Sequence, residues 1–161
     1  MKDKLAVVAG SKKEERTKLS PELKMTPSIL ICISSGIILL LGVAHLVYTF
    51  YGPKLTPRDP QLTEQMKRVS PIITKETNMW KCWIGFNASH SLCAILFGLV
   101  YGYLAISHSD FLFASWFLLA IGLGLLASLM ILGKLYWFSL PFRGISVAFA
   151  CYGAALILHF T

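Results

Sequence analysis

The sequence has no acidic residue inside its long apolar stretches. Its eight Asp and Glu stand at positions 3, 14, 15, 22, 59, 64, 76 and 110. Cation- and proton-coupled transporters place a carboxylate at membrane depth, so this distribution argues against a small coupled exporter. It also removes paired-carboxylate hydrolysis from the apolar core. Charge is scarce throughout: 14% of residues are charged and 55% hydrophobic, where a soluble domain carries about 25% charged residues. With a mean hydropathy of +0.63, the chain reads as a membrane protein. The four cysteines, Cys32, Cys82, Cys93 and Cys151, show no C-x-x-C spacing and fall in or beside apolar segments. They read as small buried apolar residues, and neither a zinc site nor a redox compartment follows from them.

The net charge is +7, but its cations sit at the ends of the apolar segments. Seven Lys and Arg precede the first segment, six lie between Lys54 and Lys81, and Lys134 and Arg143 bracket a short turn. Basic residues in such places meet lipid phosphates and orient spans. No aromatic–basic platform for nucleic acid accompanies them, so the expected partner is the lipid bilayer, with no nucleic acid.

Four apolar segments are long enough to cross a hydrocarbon core of about 30 Å as helices. They predict an all-α, integral membrane four-helix bundle, residues 27–161, behind a polar basic tail at 1–26. The apolar run after the tail exceeds a signal peptide's h-region and lacks an A-x-A site, so it reads as an uncleaved anchor. The expected spans are 28–50, 79–107, 111–133 and 144–160. Thr26 is the expected cap of the first and Pro27 its first-turn proline. Gly52-Pro53 ends it. In the first loop, Asp59-Pro60 opens a short amphipathic helix with Leu62, Met66, Val69 and Ile73 on one face. Thr77 or Asn78 caps the second span. His108-Ser109-Asp110 forms a tight turn into the third, and Pro141 disfavours helix just before the fourth. Gly98 and Gly102, then Ala120, Gly124 and Ser128, then Gly144, Ala148, Ala150 and Ala154 offer small-residue faces for close helix packing. Four spans place both termini on one side, and the Lys/Arg tally only slightly favours a cytoplasmic first loop.

Against this apolar background the stretch Trp83–Ser91, WIGFNASHS, stands out. Trp83, Asn87, His90 and Ala94 form one helical stripe. In the first span Gly42, His45 and Thr49 do the same. A buried imidazole is costly unless hydrogen-bonded, so both histidines are expected to face the bundle interior. By helical rise they sit about 10 and 17 Å from a shared end, close enough to meet if either boundary shifts by one turn. The sequon Asn87-Ala88-Ser89 lies within a span, out of reach of glycosylation. His108 and His159 fall at helix ends on the opposite face.

Three readings of this site are open. His45, Asn87 and His90 order the helices by hydrogen bonding. Alternatively, with Trp83, Phe86 and Ser89, and with Trp80 as a further wall, they line a pocket for a small lipophilic or quinone-like ligand. Or His45 and His90 are metal ligands or the axial ligands of a b-type haem. No catalytic residues are assigned, and the chain reads as non-catalytic. A larger membrane complex, packed through the Gly/Ala faces, is an alternative partner.

At Gly42-Val-Ala-His45-Leu46-Val-Tyr48-Thr49 and Trp83-Ile-Gly85-Phe86-Asn87-Ala-Ser89-His90-Ser91 the chain resembles a family of small, uncharacterised bacterial four-helix membrane proteins. These carry G-x-x-H-L-x-x-T and W-x-G-F-N-x-S-H-S motifs and are distantly DoxX-like. The likeness spans about residues 28–160. It implies a four-helix fold and a multi-pass location in the cell inner membrane; it implies no activity. Cys93 stands near a position where that pattern leads us to expect a small residue such as glycine.

Overall fold

The computed structural model describes residues 20–161, with side chains from Thr26 onward; the expected N-terminal tail lies largely outside these residues. Among the described residues the chain is all-helical, with four long apolar helices. The helices are α1 (Ser20–Phe50), α2 (Pro60–Arg68), α3 (Met79–Ser107), α4 (Ser109–Ala114), α5 (Trp116–Tyr136) and α6 (Ser139–Phe160). The long ones are α1, α3, α5 and α6.

Local chemistry sets the boundaries. α1 begins eight residues before the expected 28, so Pro27 is not its first-turn proline. Pro21 occupies the first turn instead, where a missing N–H costs nothing, and Pro27 is carried buried inside the helix. At the other end Gly52 adopts φ +81, a left-handed conformation open to glycine without a Cβ penalty. Asp59 caps α2, its carboxylate accepting from Gln61 N–H at 2.8 Å, and Pro60 is the first helical residue. That helix stops at Arg68, so Val69 and Ile73 leave the expected apolar face. Asn78 caps α3 by accepting from Lys81 N–H at 2.9 Å.

The expected third span divides in two. Ser115 is extended, and its hydroxyl accepts from Leu118 N–H at 3.3 Å. It therefore caps a fresh helix at Trp116 and leaves Ser109–Ala114 as a separate short one. α6 begins at Ser139, five residues before the expected 144. Pro141 is its third residue, again within the turn whose N–H groups need no helical acceptor.

α1 is central, packing against α3 on one side and α6 on the other; α5 packs on α6. Gly98 and Gly42 permit the α1–α3 approach. A Cβ on Gly98 would lie 2.6 Å from Leu39 Cβ and 2.8 Å from the Ser35 carbonyl oxygen. One on Gly42 would lie 2.9 Å from Ala94 Cβ. Gly102 is not needed in this way, since its nearest neighbour would be Ser35 Cβ at 3.7 Å. The expected Ala120–Gly124–Ser128 face of α5 points outward. α5 instead packs through Leu119, Gly122, Leu126 and Gly133, because the Tyr152 side chain of α6 fills the space over Gly122.

Aromatic residues close the far half of the bundle. Phe97 stacks on Tyr101 with ring centroids 4.5 Å apart, and Tyr101 meets Tyr152 at 6.0 Å. The Tyr101 hydroxyl donates to Leu118 O at 2.6 Å and the Tyr152 hydroxyl to Leu119 O at 3.2 Å. Two tyrosines thus fasten the first turn of α5 to α3 and α6. Nearer the first loop, α3 and α5 are not packed along their length, and a gap opens between them.

Candidate functional site

The two histidines meet. Their ring centroids are 5.5 Å apart in an edge-to-face arrangement. His45 lies five residues before the end of α1 and His90 eleven after the start of α3, about 8 and 17 Å by helical rise. The offset is absorbed because α3 projects beyond the end of α1. Its first turns run beside the first loop, where Trp83 Nε1–H donates to Leu55 O at 2.9 Å.

The hydrogen bonds fix more than position. Asn87 Nδ2 donates to Trp83 O at 2.8 Å, and a carbonyl can only accept. The amide oxygen therefore faces His45, whose Nε2 lies 3.0 Å away. An amide oxygen also only accepts, so His45 Nε2 carries the proton and donates. The neutral His45 is accordingly the Nε2–H tautomer. Thr49 donates to His45 O at 2.8 Å, and buried Ser91 donates to Asn87 O at 2.8 Å. Asn87 itself is buried. The His45–Asn87 pair is thus a directed bond between α1 and α3, braced one turn to either side.

His90 is placed differently. Its ring lies between His45 and Trp137, whose centroid is 5.0 Å away at an interplanar angle of 70°. Among the described residues these are its ring contacts, and it forms no hydrogen bond. Its remaining edge lines a groove of about 260 Å³ between α3 and α5, with Phe86, Ser89, Cys93, Ala94, Leu125 and Leu129. Phe86, Ser89 and Cys93 are exposed, so the groove opens sideways from the bundle. The Ser89 hydroxyl donates to Phe86 O at 3.0 Å and keeps its acceptor capacity. Tyr101 and Trp137 bound the gap at its two ends.

Of the residues singled out in the sequence, His45, Asn87 and His90 converge, while Phe86 and Ser89 share the groove with His90. Trp83 is drawn off to the first loop. Trp80 lines a separate cavity of about 280 Å³ near Tyr48, Thr49 and Ile84. Leu125, Leu129 and Trp137 were not anticipated. The signal for Trp137 was available: four alternating helices return the α5–α6 turn to the end that holds both histidines.

The geometry does not suit a haem between the histidines. Axial ligands must aim both imidazoles at one iron, whereas these rings touch edge to face and His45 Nε2 is bonded to Asn87. Among the described residues no group of three or more His, Cys, Asp or Glu is placed to hold a metal ion.

Comparison with family models, with curated proteins and with solved structures found no match to this chain.

Proposed function

We propose that the protein is a multi-pass membrane protein whose α3–α5 groove binds the polar head of a small lipophilic molecule. The observation that carries this reading is His90, an imidazole without a hydrogen-bond partner in the wall of an apolar, laterally open groove. Apolar walls with few convergent polar groups are the usual form of a ligand site. At about 260 Å³, the groove is smaller than the ~300–1,000 Å³ of a drug-sized pocket. It suits a ring-sized head on His90 and Ser89, with any tail lying outside along the helices.

Membrane insertion is supported by the surface of the long helices. Leu40, Leu96, Leu99, Ile121, Ile131 and Val147 all lie on the outside of the bundle. Soluble monomers rarely expose apolar patches above a few hundred Å². The resemblance to bacterial four-helix membrane proteins points to the cell inner membrane. Within the site the roles divide: the His45–Asn87 bond orders the helices and His90 meets the ligand.

Native mass spectrometry of the protein extracted with its own lipids tests the ligand. Retention of a small lipophilic species by the wild type, lost in His90→Ala, is the expected result. A wild type that carries none, or a His90→Ala variant that keeps it, overturns the reading. The outward Ala120–Gly124–Ser128 face of α5 favours a second reading, as a subunit of a larger membrane complex. Stoichiometric co-purification of another membrane protein, lost in Gly124→Leu, would support it.

A further inference from the structure

The first loop carries a small apolar tip that nothing in the bundle covers. Ile72 and Ile73 are 109% and 91% exposed, and Val69, three residues before Ile72, is 55% exposed. The loop that carries them is nevertheless closed at its base. Met79 N–H donates to Val69 O at 2.9 Å, closing residues 70–78 into a loop pinned to the first residue of α3. Thr74 N–H donates to Pro71 O at 3.3 Å, turning the chain at the isoleucines. Ile73 is four residues from the pinned Val69, so it stays within about 14 Å of it.

Charge surrounds the tip. Lys67 and Arg68 precede it and Lys75 follows it. Lys67 is paired with Glu64 at 2.8 Å. At this end of the bundle, residues 51–82 and 134–143 together hold eight Lys and Arg against three Asp and Glu. Exposed aliphatic side chains between cations, tethered at the end of an apolar helix, have the form of an interfacial lipid anchor. A protein partner fits less well. A specific interface buries about 800 Å² on each side, and lysine is depleted there; two isoleucines on a tight turn supply neither the area nor the composition.

We propose that Val69, Ile72 and Ile73 insert at the headgroup boundary of an anionic bilayer leaflet, with Arg68 and Lys75 on lipid phosphates. This rests on the membrane-spanning reading of the four long helices. The insertion anchors the first loop beside the mouth of the bundle. Anionic lipid strengthens it, because the negative surface potential of such a leaflet attracts each added cation.

The test places a nitroxide at Ile73→Cys in the full chain, with the four natural cysteines changed to alanine. The protein is reconstituted in vesicles of phosphatidylcholine alone or mixed with phosphatidylglycerol. A second label at Leu40→Cys, on the outer face of α1, reports on the span itself. The expected result is a several-fold rise in the oxygen-to-nickel-chelate accessibility ratio at position 73 with phosphatidylglycerol. That rise is lost in Arg68→Gln/Lys75→Gln. A position 73 label in water in both vesicles, or equally deep in both, overturns the proposal. If the Leu40 label is in lipid while the Ile73 label is in water, the tip fails and the spans stand. If both are in water, the membrane reading fails and the proposal with it. Should the cysteine-free chain not fold, amide exchange of the wild-type chain in the same bilayers decides. Stronger protection of residues 70–76 with phosphatidylglycerol supports insertion, and equal protection overturns it.

Discussion

His45 Nε2 donates to Asn87 Oδ1 across 3.0 Å, joining α1 to α3 through one directed bond. His90, one turn along α3 from Asn87, touches the same imidazole only ring to ring. The difference is measurable as coupling. Interhelical hydrogen bonds in membrane proteins average about 0.6 kcal/mol and reach about 1.7. A double-mutant cycle between His45→Ala and Asn87→Ala, followed by denaturant unfolding in mixed micelles, should return a coupling in that range. The cycle between Asn87→Ala and His90→Ala should return a value near zero. Equal coupling in the two cycles would show that the three residues act as one network, and the division of roles would fall.

Closeness of α1 and α3 is the condition for that bond, and it depends on particular glycines. Gly98→Ala places a Cβ against the Ser35 carbonyl and the Leu39 backbone, neither of which can rotate away. Overpacking of this kind typically costs about 1–3 kcal/mol. Gly102→Ala meets only ordinary contact with Ser35 Cβ at 3.7 Å, and alanine is a better helix former by about 1 kcal/mol. Unfolding should therefore show Gly98→Ala destabilised and Gly102→Ala unchanged or stabilised. The reverse order would mean that the helices cross elsewhere.

The four apolar helices were legible because each is a long run with a clear stop: Gly52-Pro53, His108 and the LYWFSLPF break. The convergence of His45 and His90 was legible to within a helical turn. The remainder depended on three-dimensional competition that spacing does not encode. In α5 only Ala120–Gly124–Ser128 repeats small residues at four-residue intervals, so spacing favours that face. The buried face contains Gly122 because a tyrosine thirty residues later needs that space. Trp83 lies on the same helical stripe as Asn87, yet its indole N–H is drawn to a loop carbonyl that periodicity cannot anticipate. Ser115 divides the third segment through a capping bond too short-ranged to alter the hydropathy.

Filling the groove should separate ligand binding from stability. Leu129 is half-buried on α5 and lines the groove opposite α3. Leu129→Trp adds volume where His90 offers its free edge, without touching the His45–Asn87 bond. Mass spectrometry should find the bound species lost, as in His90→Ala, while the unfolding free energy falls by no more than the ~1–3 kcal/mol typical of overpacking. Retention of the species in Leu129→Trp would place it elsewhere on the protein.

Ser34 and Ser35 pose the opposite problem, since their hydroxyls are fully buried in α1 and have no hydrogen-bond partner among the described residues. An unsatisfied buried polar group costs about 1–3 kcal/mol. Serine and alanine are close in size, so Ser34→Ala and Ser35→Ala remove that cost with little cavity. Alanine also raises helix propensity by a few tenths of a kcal/mol. Each variant should be at least as stable as the wild type in denaturant unfolding, and the double variant more stable than either single one. Ser35 faces Gly102 of α3, so its replacement also tests whether the α1–α3 seam tolerates a wholly apolar contact. A loss of 1 kcal/mol or more in either variant would mean that the hydroxyl makes a stabilising hydrogen bond in the folded protein.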